Sequence, residues 1–238
     1  MKRFILFLSL WAASSALAVA QENDLLQFFP NREGAQLVNK TYDAGNHLLS
    51  TTIMTVLKFY EYENGSDLLL GFTMTDPAGN AIDQGTIKAY YENGDFFLSM
   101  GNRTIFPDIV PYLSMENELF ADFLDYPNPM GDDNNMLDWN PVFVMNGGDY
   151  TISSKADKRD LVRVHNYNRQ YAGRERVSTP AGDFSAYKIT YDVDVTREGK
   201  TETFRGVEWY TAGAGIVRSE IYKGNNLQNY TVLTRLTK

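Results

Sequence analysis

Apolar and polar side chains alternate most regularly in residues 177–195. A turn with the sequence Thr-Pro-Ala-Gly-Asp lies near the start of this stretch, and a strand-like run follows it. Successive side chains of a β-strand point to opposite faces, so every second residue belongs to one face. The apolar face holds Tyr187, Ile189, Tyr191, Val193 and Val195, and the polar face holds Lys188, Thr190, Asp192, Asp194 and Thr196. The pattern therefore predicts a strand with one side towards a core and the other towards water.

The same alternation recurs along most of the chain and predicts a series of short strands. Asn64-Gly65 and Asn93-Gly94 are hairpin signals, and clusters of Asp, Asn, Pro and Gly separate other apolar runs. The predicted strands cover residues 35–42, 47–59, 68–75, 85–92, 96–100, 141–145, 150–154, 161–171, 184–196, 201–210, 216–222 and 227–236. Short strands with close turns indicate an antiparallel meander, and large sheets tend to curl. We therefore expect a mainly β fold, in which a single curved antiparallel sheet forms a half-open or closed barrel.

Residues 102–140 interrupt this rhythm. Four apolar residues there have the spacing of one face of a short helix: Met115, Leu119, Phe120 and Phe123. Residues 125–141 are rich in Pro, Asp and Asn, which predicts a long mid-chain loop. We expect the helix and the loop to lie at one mouth of the barrel. The loop would serve as a lid, a rim loop or a crossover between sheet halves.

The N-terminus has the three regions of a secretory signal peptide, which favours this interpretation over a membrane anchor or a core helix. Lys2 and Arg3 form a basic start, residues 4–13 are apolar, and Ala18-Val19-Ala20 precedes Gln21 as a cleavage site. The apolar run is shorter than the ~20 residues that cross a bilayer. We therefore predict a signal peptide at 1–20 and a single all-β domain at 21–238. The protein would be periplasmic or extracellular.

Charge and cysteine content narrow the classes of function. Without residues 1–20 the chain holds 20 basic and 30 acidic residues, a net charge of −10. Such a surface repels nucleic acid and anionic lipid headgroups. The sequence contains no Cys, which excludes disulfides, cysteine catalysis, cysteine-bound metals and acylation of the chain on cysteine. No later stretch is apolar enough to predict a membrane span.

Candidate chemical groups are few. His47 and His165 have no other His, Asp or Glu within two residues, which favours a hydrogen-bonded strand residue over a general base or metal ligand. Asp132, Asp133 and Asp138 could supply oxygen ligands to Ca²⁺. The central Gly and later Glu of an EF-hand loop are absent, which favours an acidic surface loop. We expect no catalytic residue, no bound metal and no cofactor.

Several stretches resemble a group of exported bacterial proteins known as a domain of unknown function, or as TapB-like. They are residues 177–189 with the turn Thr-Pro-Ala-Gly-Asp, the opening at 28–34, the mid-chain 131–138 and the ending 209–220. The mid-chain stretch departs from the pattern of the group by extra residues after Gly131-Asp132. The resemblance implies a curved antiparallel sheet of the YmcC-like kind, similar in outline to periplasmic lipoprotein and lipid carriers. It implies no catalytic residues.

Three functions fit this sequence. The first is a non-enzymatic exported protein that binds a lipid or other amphiphile against the apolar face of its sheet. Six residues would line that site: Phe72, Met74, Tyr187, Ile189, Tyr191 and Trp209. The second is a structural or interaction protein of Gram-negative cell-envelope or exopolysaccharide assembly, with a protein partner and a filled core. The third is a hydrolase of envelope glycans, since 30 acidic residues offer carboxylate pairs and Trp139, Trp209 and Tyr210 could line its cleft.

Overall fold

The computed structural model describes residues 29–30, 32–63, 65–92, 95–100, 109, 112–113, 116–127, 144–211 and 213–237. Several features of the sequence lie outside these ranges: the signal peptide with Ala18, Ala20 and Gln21, the calcium candidates Asp132, Asp133 and Asp138, and Met115 and Trp139.

Fourteen strands form one antiparallel sheet in the described part of the chain. They are β1 (Gln36–Asp43), β2 (Leu48–Tyr62), β3 (Gly65–Thr75), β4 (Ala81–Glu92), β5 (Asp95–Ser99), β6 (Asn117–Ala121), β7 (Phe123–Pro127), β8 (Val144–Met145), β9 (Gly148–Ser154), β10 (Asp160–Thr179), β11 (Gly182–Arg197), β12 (Lys200–Thr211), β13 (Gly215–Lys223) and β14 (Asn226–Thr237). β10 runs past its predicted end because two bulges break its alternation while its pairing with β11 continues.

The strand order shows how the sheet curves into a barrel. Neighbouring strands follow the order β6-β9-β10-β11-β12-β13-β14-β1-β2-β3-β4-β5-β7, and β8 pairs with β10 off this path. The first strand therefore lies between β2 and the last strand, β14. The strands at the two ends of the order, β6 and β7, are consecutive in the chain and only Asp122 separates them. One antiparallel sheet is thus nearly closed into a barrel, as the sequence predicts.

The predicted short helix is wrong. Leu119 and Phe120 lie in β6, and Phe123 begins β7. Apolar side chains on both faces of this segment hide the period of two, and backbone pairing with β9 and β5 decides its conformation. The predicted loop also begins too early, because β7 extends to Pro127. Residues 128–143 lie outside the described ranges.

Asp122 joins the two edges of the sheet at one point. Its N–H donates to the carbonyl of Asp149 at 2.8 Å, and its carbonyl accepts from the N–H of Met100 at 2.9 Å. Its carboxylate accepts from the N–H of Asp149 at 2.8 Å. Gly148 permits this close approach, since a Cβ there would lie 2.9 Å from the sulfur of Met100. The chain therefore bridges both edges within a single residue.

A buried side-chain cluster completes the closure beside β7. Arg169 of β10 is fully buried, and its Nη1 donates to the carbonyl and Oδ1 of Asp125 at 2.9 and 2.8 Å. The same nitrogen donates to the carbonyl of Asn146 at 2.9 Å. The guanidinium carbon lies 4.9 Å from the ring centre of Tyr126. We call Arg169, Asp125 and Asn146 the clasp, because they connect β7 to β10 where no strand pairing is seen among the described residues.

The core fills the inner face of the sheet. Tyr187, Ile189, Tyr191, Val193 and Val195 are all buried. The residues between them are partly exposed. The predicted two-sided strand is therefore confirmed for β11.

The two faces of β11 should respond very differently to substitution. Tyr191→Asp removes a core ring and places a second carboxylate beside Glu208, to which the Tyr191 hydroxyl donates. We expect a loss of more than about 3 kcal/mol in the free energy of unfolding. Asp192→Ala loses one exposed hydrogen bond, from Asn168, and should change it by about 0.5 kcal/mol. Urea unfolding measures both, and equal losses would contradict a sheet with one buried face.

Loss of the clasp should lower the free energy of unfolding far more than loss of a surface ion pair on the same strand. Arg169→Met leaves the carboxylate of Asp125 without its cation, with an expected loss of about 3–5 kcal/mol. Arg163→Met is the matched control, because Arg163 is 60% exposed and pairs with Asp149, so its loss should stay below about 1 kcal/mol. Hydrogen exchange should show faster exchange of the β7 amides in the first variant alone. Unchanged β7 protection would show that the clasp does not hold the seam.

Candidate functional site

The barrel is split where β4 and β6 approach each other. β5 pairs with β4 over Ala89 to Glu92, so residues 81–88 have no strand partner on that edge in the described ranges. β6 pairs with β9 on one edge, and its other edge has no strand partner among the described residues. A cavity of about 770 Å³ lies here, lined by residues from both strands. We call it the cleft.

Strand register identifies the side chains that face into the cleft. Gly85 pairs with Phe72, and Ile87 pairs with the buried Leu70, so these residues share the inner face. Leu119 pairs with the buried Ile152 on the opposite side. Leu119 is nevertheless 37% exposed. An inward-facing leucine is this exposed because the cleft lies in front of it.

Apolar residues make up about half of the lining of the cleft. Its apolar lining residues include Phe72, Ile82, Ile87, Tyr112, Leu113, Leu119, Phe123 and Ile152. The ring of Phe72 lies across Gly85, where a Cβ would be 3.0 Å from its Cε1. The small residue thus lets the aromatic ring lie against the backbone of β4. A separate cavity of about 70 Å³ also has Ile87 in its lining, together with residues of β1, β2 and β13.

Four charged residues also line the cleft: Asp83, Lys88, Glu118 and Lys155. Burial raises the pKa of Asp83, and a hydrogen bond from the N–H of Gln84 offsets only part of this effect. The Glu118 carboxylate lies 2.7 Å from the ammonium of Lys158.

The six predicted ligand-lining residues are not all in one place. Phe72 lines the cleft. Four others are buried in the core on the inner face: Met74, Tyr187, Ile189 and Tyr191. Trp209 is also buried, but it pairs with Lys188 on the other face of the sheet. There its Nε1 donates to Glu175, and the Lys188 ammonium lies 5.1 Å from its ring centre. That these residues contact a ligand remains a prediction.

A buried carboxylate in the core was not found by sequence reasoning. Glu208 is 2% exposed and accepts hydrogen bonds from the hydroxyls of Tyr126 at 2.9 Å and Tyr191 at 3.0 Å. Gly206 makes room for one of these rings, since a Cβ there would lie 2.2 Å from the ring of Tyr191. The available signal was the alternation of Glu208 with Phe204 in β12, which places an acid on the inner face. We assign this carboxylate a structural role, because hydroxyls of the core satisfy it.

The two histidines are held by nearby carboxylates. The Nδ1 of His47 lies 2.9 Å from Asp43, and that of His165 lies 2.9 Å from Asp149. Burial acts to raise the pKa of Asp149, but hydrogen bonds from Arg163 and His165 outweigh it and lower the pKa. His165 is thus the hydrogen-bonded strand residue that the sequence favours. No group of three or more His, Asp or Glu suited to a metal ion occurs within the described ranges.

The described residues include no helix that is long and apolar enough to cross a membrane.

Replacing the buried carboxylate tests its structural role. Glu208→Gln keeps the shape but turns one acceptor into a donor, which then opposes a tyrosine hydroxyl. We expect the free energy of unfolding to fall by about 1–3 kcal/mol. The same change at Glu198, in the exposed turn after β11, should have an effect within about 0.5 kcal/mol. Urea unfolding compares the two variants. If Glu208→Gln leaves the free energy of unfolding unchanged, the hydroxyls of Tyr126 and Tyr191 do not need a charged acceptor.

Comparison with known proteins places this architecture in a family. The family model described as DUF3108-like matches residues 32–233. A crystal structure from Bacteroides fragilis, described as an exported protein with a YmcC-like fold, is 30% identical with a TM-score of 0.82, and the match covers 90% of this chain and 100% of that chain. A structure described as a lipoprotein from Parabacteroides distasonis is 31% identical with a TM-score of 0.81, and the match covers 89% and 99%. No protein of curated function matches the chain. On this similarity of sequence and fold, the chain belongs to the DUF3108-like family.

Proposed function

We propose that the protein is an exported, non-enzymatic binding protein that holds the apolar part of an amphiphile in the cleft. The observation that carries this proposal is the exposure of the inward-facing Leu119 in a cavity of about 770 Å³. Ligand pockets in proteins commonly have volumes of roughly 300–1,000 Å³ and mainly apolar walls. The volume of the cleft lies in this range, and a lining that combines apolar with polar side chains suits a small amphiphile.

The energy of such binding would come from the apolar tail. Each buried methylene contributes about 0.8 kcal/mol, so a chain of about ten carbons gains roughly 8 kcal/mol. Association offsets much of this gain, because the ligand loses translational and rotational freedom. A gain of about 8 kcal/mol alone corresponds to a Kd of about 1 μM, so after this offset we expect Kd values between about 100 μM and 1 mM, with a steady increase in affinity as the tail lengthens.

Export is the second part of the proposal. It is supported by the basic start, apolar run and cleavage site in residues 1–21. The Bacteroides fragilis relative is described as exported and the Parabacteroides distasonis relative as a lipoprotein. The sequence of this chain contains no Cys for acylation, which favours a protein free in the periplasm or outside the cell.

A second candidate function rests on the same strand edges. The open edges of β4 and β6 expose backbone groups that could pair with an extended segment of an envelope protein. Phe120 of β6 supports this alternative, because it is 59% exposed at the margin of the cleft. In this case β6 would serve a protein interface, and the cleft would not need a small ligand.

Two exposed leucines test whether binding takes place in the cleft. Leu119 lines the cleft, whereas Leu57 of β2 is 41% exposed and does not line it, so Leu119→Gln and Leu57→Gln make the same change inside and outside the site. We expect the first to weaken binding of the neutral fluorescent probe N-phenyl-1-naphthylamine by about tenfold, because a polar group then enters the apolar wall. The second should bind the probe as the parent does. Equal titration curves for both variants would contradict binding in the cleft.

The natural ligand can be sought directly. We expect native mass spectrometry of the protein purified from its own cell envelope to show an added mass. Solvent extraction should release that mass as a lipid or other amphiphile. A clean mass of the unliganded chain, together with no binding of the probe, would leave the protein-interface candidate.

A further inference from the structure

Among the described residues of the strands that line the cleft, one charged side chain belongs to the inner face, that of Asp83. It pairs with Met74 of β3, whose side chain is fully buried, so both residues point inwards. Lys88 belongs to the opposite face of β4, since its neighbour Ile87 faces the core. The apolar walls therefore meet one inward-facing carboxylate.

The other charges around the cleft are already engaged or lie at its margin. Glu118 is on the outer face of β6 and pairs with Lys158 at 2.7 Å. Lys155 lies in the turn after β9 and is exposed. Lys88 is exposed.

No ion pair to Asp83 is found among the described residues, and its Oδ1 accepts a hydrogen bond from the N–H of Gln84 at 2.8 Å. The carboxyl is partly buried, and this burial raises its pKa. A partly buried carboxylate without a cation is unfavourable unless another group compensates it. The next residue, Gln84, faces outwards and is exposed. If Asp and Gln exchanged places at these two positions, the charge would lie in water. The sequence instead keeps the carboxylate on the inner face.

We propose that Asp83 binds the polar end of the ligand and that this end carries a protonated amine. The inference rests on the proposed function, and it adds the class of ligand: a long-chain amine or an amine-bearing lipid, with its tail along Leu119 and Phe72. A primary ammonium can both neutralise the carboxylate and donate hydrogen bonds to its oxygens. A fatty acid would instead bring a second negative charge to Asp83, in a protein with an excess of acidic residues.

Four probes with the same tail test this assignment. Dodecylamine is cationic and donates hydrogen bonds, dodecyltrimethylammonium is cationic without a donor, dodecanol is neutral and dodecanoate is anionic. Each is titrated below its aggregation concentration against bound N-phenyl-1-naphthylamine at neutral pH. We expect dodecylamine to displace the dye at a concentration at least about tenfold lower than dodecanoate, with the other two between them.

Asp83→Asn should remove this preference for amines. The variant should lose about tenfold in affinity for dodecylamine and keep its affinity for dodecanol, because the tail contacts are unchanged. Asp67→Asn is the matched control, since it makes the same charge change on the outer, exposed side of β3 and should leave the order of the probes intact. Asp83→Asn should also unfold at a higher urea concentration at neutral pH, because it removes a carboxylate that burial disfavours.

The outcomes distinguish this inference from the proposed function. If the dye binds but all four probes compete equally, or if dodecanoate competes best, the amine assignment is overturned while binding in the cleft stands. The assignment also fails if Asp83→Asn leaves the preference for dodecylamine unchanged. If neither the dye nor any probe binds the parent protein, the proposed function fails, and this inference fails with it.

Discussion

The barrel depends on one seam, where the two edges of the sheet meet without continuous strand pairing. Asp122 carries the chain from the edge at β9 to the edge at β5, with a backbone hydrogen bond on each side. The fully buried Arg169 then binds Asp125 and Asn146 beside it. A buried ion pair is a costly way to join two elements. Among the described residues, only Nη1 of Arg169 has hydrogen-bond acceptors, and its Nε and Nη2 have none. The clasp thus joins β7 to β10 through one nitrogen and the contact with the Tyr126 ring.

The same seam explains why the cleft exists. β5 and β7 occupy the space beside the end of β4 that contains residues 89–92, and the clasp fixes them there. Residues 81–88 lie beyond the reach of β5, so β4 and β6 stay apart at that end of the barrel. The core on the closed side is dense with tyrosines around Glu208, whereas the open side exposes Leu119. One end of the barrel is thus filled and closed, and the other contains the cleft.

The fold could be predicted from the sequence wherever local patterns determine structure. β11 alternates cleanly because one of its faces is buried, and the turns beside it carry Pro180, Gly182 and Gly199. β6 and β7 were missed because apolar side chains lie on both faces, so only their distant partners define them. Arg169 and the cleft were out of reach for the same reason. Both depend on which strands meet across the barrel, and a single sequence does not specify that register.

The position of β1 between β2 and β14 has a consequence for how the chain folds during synthesis. One edge of β1 finds its partner within the next few residues, but the other waits for the final strand, Asn226–Thr237. The hydroxyls of Thr41 and Thr231, for example, belong to residues 190 positions apart, so their hydrogen bond forms only after β14 has been synthesised. Pairing across so long a stretch of chain is slow. Until β14 is available, β1 keeps one edge open, where the strand of another chain can pair with it.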